Sequence, residues 1–454
     1  MKMKQLIVLG VVLVALFAFY SNSNKTKKVV SNDGLKAGDL IIAPEDLNVN
    51  DISGLKITDS DDFVHLVREE GAWTVANRDN YKADFSKISR VLKKLIDLKV
   101  AEQLRVGPKN YSRFDLNSPA EGKAIKVDLL KGGEKQPLIE LLIGKAFRGA
   151  TVDFGQQGGG NGKYLRLGDN EEQVFIVEDS LYDIESTSSG WLEKSPFSID
   201  KPKDVSVTHS DEVKFNFIRT EEGSDATLEG VGEEEELNTS NTSSIVSPFA
   251  NFSFKDVIVG EKAKPENTGL DKPVQVVVST FDGFTYKITL GKGEGENIDS
   301  AAQEASLTTA TYYLSYTVEA EFPEFELQPR EPQDDEIAKD DASEEDKNKA
   351  AKLKESRDKE DKEKQQKEYD ERKDSWKEKL DKEKGFAGTI YEVDSWSAEK
   401  FFMKREDLVK KKEIEEKGEV EENPLGTPSG NNSSIPGLPG GLIPGISPQT
   451  PNSE

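Results

Sequence analysis

Apolar and polar positions change their spacing along the chain, and this change predicts strands first and a helix next. Between residues 52 and 75, apolar residues alternate loosely with polar ones on both sides of a turn at 69–71, which is typical of a strand followed by a hairpin. From Asp84 onward, apolar positions recur three and four residues apart, which predicts a capped helix to about Lys99. Further strands are predicted at residues 124–130, 138–143, 164–167 and 174–177.

Part of this pattern occurs twice. Residues 114–119 correspond to residues 268–273, which lie 154 positions later. Each segment is followed by an apolar strand, a turn and a second strand that ends in a Gly-Lys pair. The glycines of these endings, Gly144 and Gly291, are only 147 positions apart, so the loops of the second copy are shorter. Matches that keep the same order predict one module present in tandem.

The second copy is stretched by a charged insertion. Residues 175–180 resemble residues 391–395, but the offset has grown to 216 positions. We place the extra length at residues 323–385. Within it, residues 334–384 hold 20 acidic and 16 basic residues and no Gly or Pro.

Acidic residues lie four positions before basic ones throughout this insertion, which supports a helix from Ser343 to Lys384 about 60 Å long. Its ends must return to one domain, and residues 322–342 are long enough to form an extended return leg. No heptad seam persists, which favours a solvated or partly disordered helix over a coiled-coil face for a partner.

Both termini differ in composition from the body. Residues 6–20 form an unbroken apolar run flanked by lysines, and we predict that residues 1–28 are an uncleaved membrane anchor. A cleaved signal peptide is the alternative. Residues 29–50 are predicted to be a polar linker, and residues 419–454, rich in Pro, Gly, Ser and Asn, a disordered tail.

Composition narrows the function classes. The 454-residue chain carries a net charge of −25, which argues against nucleic acid as a partner because phosphate binding needs a basic face. It has no cysteine, so disulfides and zinc thiolate sites are excluded. The two histidines, His65 and His209, lie in different copies, and the Gly-rich stretch 155–163 precedes a strand instead of the helix that a phosphate loop requires. We therefore predict a non-enzymatic protein with no catalytic, cofactor-binding or metal-binding residues.

The order of several features resembles the bacterial proteins of domain-of-unknown-function family 4340. The features that carry the resemblance are Trp73, the helix at 84–99, Tyr111, Leu116 with Pro119, the strands at 164–167 and 175–177, and Trp191 ahead of Pro196. The resemblance implies one N-terminal transmembrane helix and a module in tandem. It also implies, by analogy, a periplasmic accessory to an envelope transporter of the ABC type or to a gliding-motility-like complex.

These observations together predict an α+β protein of mostly antiparallel sheet with packed helices, anchored in the inner membrane through residues 6–20. We expect its first module at residues 51–200 and its second at 201–418, with the charged helix inserted in the second and the body facing the periplasm or cell exterior. The expected function is that of an accessory or scaffold that binds protein partners of the envelope. The alternative is a glycan- or peptide-binding module with a cleft between the copies.

Overall fold

The computed structural model describes residues 35–44, 47–132, 137–147, 162–168, 173–209, 212–293, 310–337 and 343–412. The predicted anchor, residues 1–28, and the predicted tail, residues 419–454, lie outside this part, as do residues 155–161 of the Gly-rich stretch. Within the described ranges, no helix is both long enough and apolar enough to cross a membrane.

The first sheet is antiparallel in every pairing that the described residues make. Its strands are β1 (Gly54–Thr58), β2 (Phe63–Glu69), β3 (Ala72–Val75), β4 (Tyr81–Lys82), β5 (Glu102–Arg105), β6 (Ile125–Leu130), β7 (Ile139–Phe147), β8 (Gly162–Leu167) and β9 (Gln173–Val177). They lie in the order β4-β3-β2-β1-β6-β7-β8-β9-β5. All four later strands predicted from the sequence are present, and β5 forms an additional edge.

The second sheet is also antiparallel. Its strands and those of a small two-stranded sheet are β10 (Pro202–His209), β11 (Glu212–Ile218), β12 (Thr227–Leu228), β13 (Glu235–Leu237), β14 (Asp256–Val257), β15 (Val274–Thr280), β16 (Phe284–Gly293), β17 (Thr311–Ala320), β18 (Tyr391–Val393) and β19 (Val409–Lys411). The sheet order is β12-β11-β10-β15-β16-β17-β18-β14, and β13 pairs with β19.

The described residues form few α-helices, and these are very unequal in length. They are α1 (Phe85–Ile96), α2 (Thr239–Thr242), α3 (Pro265–Thr268), α4 (Glu344–Lys384) and α5 (Ser395–Ala398). The Asp84 side chain caps α1 by accepting a hydrogen bond from the Lys87 backbone N–H at 3.0 Å. The sequence therefore predicted the start of α1 and its buried face, and the structure confirms the predicted α+β class.

The chain leaves α1 earlier than predicted because it pairs with residues 40 and 41, which precede the predicted first module. Lys99 forms a β-bridge with Leu40, and the Ile41 N–H donates to the Leu98 carbonyl at 2.9 Å. Ile41 and Ile42 are buried in the main core. Packing thus begins ahead of residue 51, inside the stretch predicted to be a linker, because its short apolar run finds partners beside α1.

Corresponding hairpins of the two sheets have the same register. In the first sheet, Ile125 on β6 lies opposite Ile143 on β7. In the second sheet, Val274 on β15 lies opposite Leu290 on β16. These are the positions that the sequence repeat aligns, and both hairpins direct apolar side chains toward the main core.

The repeated segment occupies an equivalent place beside each sheet. At Gly144, a Cβ would overlap the carbonyl oxygen of Phe114, and at Gly291 a Cβ would overlap the carbonyl oxygen of Thr268. Both glycines therefore allow the backbone of the repeated segment to lie directly against the end of a strand.

We expect Gly144→Ala and Gly291→Ala each to destabilise the protein by about 2 kcal/mol, since neither backbone contact can yield to a side-chain rotation. The measurement is the free energy of unfolding in urea. Gly107→Ala is the matched control, because nothing lies within 4 Å of a Cβ placed there. Equal stability of all three variants would contradict this account of the repeated segment.

Candidate functional site

The charged insertion forms one structural unit, which we call the arm: the leg, residues 321–337, together with α4. Helix α4 has 41 residues. The Ser343 hydroxyl caps its start by accepting from the Asp346 N–H at 3.2 Å, and the helix ends at Gly385. The long charged helix predicted from the sequence is thus confirmed, with its predicted ends.

The leg runs antiparallel along α4 and is held by side-chain hydrogen bonds to its backbone. The Tyr369 hydroxyl donates to the Pro323 carbonyl at 2.9 Å. Further along, the Gln365 side-chain amide donates to the Gln328 carbonyl and accepts from the Gln328 N–H, both at 2.9 Å. The amide of Gln365 therefore pairs with the leg as a neighbouring strand would.

Near its far end the leg is joined to α4 by an ionic clasp, which consists of Arg330, Asp335, Glu336, Arg357 and Asp358. Arg330 lies 2.8 Å from both Glu336 and Asp358. Arg357 lies 2.6 Å from Asp335 and 2.9 Å from Glu336. The Glu336 side chain has 0% exposure. The hydrogen bond from Arg330, supported by one from Arg357, lowers the pKa of the Glu336 carboxyl to about 2.

The other end of the arm, together with the turn at Gly385 and Phe386 that follows α4, is buried against the second sheet, and we call it the base. The Glu383 carboxylate accepts from the Tyr286 hydroxyl at 2.8 Å and from the Ser198 N–H at 3.1 Å. The Tyr316 hydroxyl donates to the Glu383 carbonyl at 2.7 Å. Burial raises the pKa of the Glu383 carboxyl above its ordinary value.

Aromatic rings continue this contact from the second sheet to the helix. Trp376 stacks on Phe322 with ring centroids 5.5 Å apart, and Phe322 meets Phe284 edge to face at 5.6 Å. Phe284 in turn stacks on Tyr286. The leg and the helix thus enter the core side by side, at the point where β17 ends.

The base also touches the first sheet and the connection between the sheets. Phe386 packs against Tyr81 of β4 with centroids 5.4 Å apart, and the Lys82 ammonium lies 5.5 Å from the Phe386 ring centroid. Lys379 pairs with Asp200 at 2.6 Å. The base therefore lies where both sheets and the connecting segment meet.

Polar contacts join the sheets directly beside the base. Arg78, which follows β3, forms a two-pronged ion pair with Asp256 of β14 at 2.9 and 2.8 Å. The Lys194 ammonium donates to the carbonyls of Phe254 and Lys255 at 3.1 and 2.6 Å. The junction is consequently a packed and hydrogen-bonded interface between the two sheets.

Beyond its base, the arm has a large accessible surface. Among the described residues, the side-chain hydrogen bonds, ion pairs and ring contacts of helix residues 344–375 stay within the arm. The exposed side chains on this stretch are mainly charged, with acidic and basic residues interspersed. This surface suits contact with a macromolecule better than the enclosure of a small ligand.

The structure does not bring the two histidines together. His65 lies on β2, and His209 ends β10, where its Nε2 lies 2.8 Å from the Phe401 carbonyl oxygen. In the part of the chain that the structure describes, no three His, Asp or Glu side chains are grouped as metal ligands would be.

A pair of carboxylates lies on the face of the first sheet opposite the main core. Asp128 and Glu140 lie opposite each other on β6 and β7, and the Lys126 ammonium bridges them at 3.3 and 2.8 Å. Burial raises the pKa of the Asp128 carboxyl. The bridging ammonium gives this pair an ordinary structural role on the sheet surface.

Trp376 and Leu380 are among the few apolar residues of α4, and Glu383 follows them. The three residues follow one another at helical spacing, four and then three positions apart, and so share one face of α4. The two apolar residues on this face were a signal in the sequence that this face of α4 packs against the body of the protein. The burial of a glutamate among many exposed ones could not be read from it.

We expect Trp376→Ala to destabilise the docked arm by about 3 kcal/mol, because it removes a large ring from the base. Trp376 is 9% exposed. Trp396→Ala is the matched control, since Trp396 is 68% exposed, and should change stability by less than about 0.5 kcal/mol. Urea unfolding monitored by far-UV circular dichroism distinguishes the two variants, and similar losses would refute the proposed base.

The raised pKa of the Glu383 carboxyl also predicts that the free energy of unfolding depends on pH. The folded state favours neutral Glu383, so this group's contribution to stability is fully present below its unfolded pKa, near 4.5, and is lost as the pH rises through the folded pKa. The unfolding free energy of the wild type relative to Glu383→Gln should therefore fall over that range. Glu363→Gln, at an exposed site of the same helix, is the control, and an equally steep pH dependence there would count against this assignment.

Residues 73–273 match the family model described as domain of unknown function (DUF4340). The match begins at the Trp73 strand and ends with the second repeated segment, and it confirms the family resemblance inferred from the sequence. No curated protein and no solved structure matches the chain.

Proposed function

We propose that this chain, which belongs through residues 73–273 to the DUF4340 family, is a non-catalytic scaffold or accessory protein of the bacterial envelope. In this proposal the arm is the surface that engages a protein partner, such as an ABC-type transporter or a gliding-motility-like complex. The supporting observation is the docking of the arm base where both sheets meet, because this connects an accessible helix rigidly to the body.

Membrane attachment is part of the proposal and is supported by sequence. The apolar run at residues 6–20 between lysine-bearing flanks suits a single-pass anchor in the inner membrane. The body would then face the periplasm or the cell exterior. The absence of cysteine places no redox constraint on that location.

We also propose that the two sheets are copies of one module. The shared register of the β6–β7 and β15–β16 hairpins supports this, as do the equivalent contacts of Gly144 and Gly291. The copies would differ mainly at one connection. Between β8 and β9 it spans residues 168–172, whereas between β17 and β18 it contains the whole arm.

The charges of α4 favour a protein partner over nucleic acid or an anionic membrane surface. Helix α4 contains 15 acidic and 15 basic residues, so it has no net charge to attract either polyanion. Interspersed charges of both signs instead allow a partner with a complementary pattern to be selected.

The alternative function, glycan or peptide binding in a cleft between the copies, has less support. Such a cleft would present exposed aromatic rings, but Tyr81, Phe254 and Tyr391 at the junction are all buried. These rings pack against one another, with centroid separations between 4.7 and 6.0 Å.

The test is site-specific photo-crosslinking in intact cells. A crosslinking residue in place of Lys364, which is 74% exposed on α4, should capture an integral membrane protein. The same residue in place of Lys404, which is 78% exposed outside the arm, is the control and should not capture it. Fractionation of the full chain with soluble proteins, or equal crosslinking from both positions, would overturn the proposal.

A further inference from the structure

We infer that the two ends of the arm are held by different forces, so that salt releases the leg from the helix at the ionic clasp while the base stays docked. The proposed release concerns the arm itself. Only the use of this release to regulate partner binding rests on the proposed function.

The clasp end has almost no apolar burial to support it. Leu327 and Ile337, the large apolar residues of the leg nearest the clasp, are 49% and 59% exposed. The leg is held there by Arg330 and Arg357, whose side chains are 18% and 30% exposed, and by the hydrogen bonds of Gln365. Charge and polar contacts therefore carry most of the attachment.

The base has the opposite character. Trp376 and Phe386 are 9% and 3% exposed, and Phe322 lies between Trp376 and Phe284. The Glu383 side chain is 4% exposed and bonds to Tyr286 and Ser198. Burial of aromatic surface dominates here.

Salt acts on these two attachments differently. Raising ionic strength from about 0.15 M to about 1 M shortens the Debye length from about 8 Å to about 3 Å. This weakens the two ion pairs of the clasp whose carboxylates face solvent, Arg357 with Asp335 and Arg330 with Asp358, because Asp335 and Asp358 are 54% and 50% exposed. Apolar burial is not weakened by screening. The clasp is therefore the first attachment to open, and the leg separates from α4 between the clasp and Gln328.

The acidic groups of the clasp make release at low pH a second route. The carboxyls that face Arg330 and Arg357 are Asp335 and Glu336 on the leg and Asp358 on α4. Hydrogen bonds from the arginines hold the pKa values of the Asp335 and Glu336 carboxyls below their ordinary values, and protonating these two groups removes the charge that Arg357 pairs with. Salt is the cleaner variable, because low pH also protonates carboxyls throughout the chain.

Hydrogen exchange of the full chain tests the inference. Between about 0.05 M and about 1 M NaCl, the hydrogen-bonded amides of Gln328, Gln333 and Glu336 should exchange roughly tenfold faster relative to unstructured reference peptides. The amides of Gly385 and Phe386, which donate to helix carbonyls at the base, should change less than about twofold over the same range. Parallel acceleration of both regions, or of neither, would overturn the inference.

A charge-matched pair of variants isolates the clasp. Arg357→Gln should give roughly tenfold faster exchange in the leg at low salt and remove most of its further response to salt. Lys359→Gln removes one positive charge two residues away, where Lys359 is 78% exposed, and should leave leg exchange unchanged. Equal behaviour of the two variants would show that net helix charge, and not the clasp, holds the leg. Because exchange requires no partner, this result is independent of the crosslinking outcome.

Discussion

The structure depends on aromatic packing at the junction of the two sheets. Tyr81 from the first sheet meets Tyr391 from the second and Phe386 from the base of the arm, and all three rings are buried. Large rings remove much apolar surface from water for little loss of side-chain freedom. One interface thereby joins the two sheets and holds the base of the arm, so the sheets and the base should unfold together.

Hydrogen bonds of polar groups give this interface its specificity. A carboxylate such as Glu383 is costly to bury, and its bonds to Tyr286 and Ser198 offset that cost only in the observed arrangement. Arg78 with Asp256 acts similarly between the sheets. Aromatic burial therefore supplies attraction, while the buried polar groups select one orientation of the base.

The arm shows how an antiparallel sheet accommodates a long insertion. Its insertion between β17 and β18 leaves their register intact, because the leg and the helix leave and re-enter the sheet side by side. A single helix would separate its ends by its whole length. Because the leg runs antiparallel beside α4, the chain returns to the point where it left the sheet. The pairing of β17 with β18 is therefore kept.

Local patterns in the sequence determined much of the fold. The cap and apolar spacing of α1, the alternation of the later strands, and the breaker-free run of α4 from Ser343 to Gly385 each depend on neighbours along the chain, so they could be read directly. The ion pairs at four-residue spacing within α4 differ from those predicted, in which the acidic residue comes first. Among the described residues, the pairs within 4.0 Å at this spacing have the basic residue first, as in Lys359 with Glu363.

Only the tertiary structure decided which charged residues of α4 are buried and which segments share the core. Glu383 resembles its many neighbours in sequence, and its burial follows from Tyr286 and Ser198, which lie far away along the chain. The apolar stretch at Ile41 likewise reads as part of a linker until Leu98 is brought beside it. The sequence specifies the elements because their forces are local, whereas the site depends on contacts that exist only after the chain has folded.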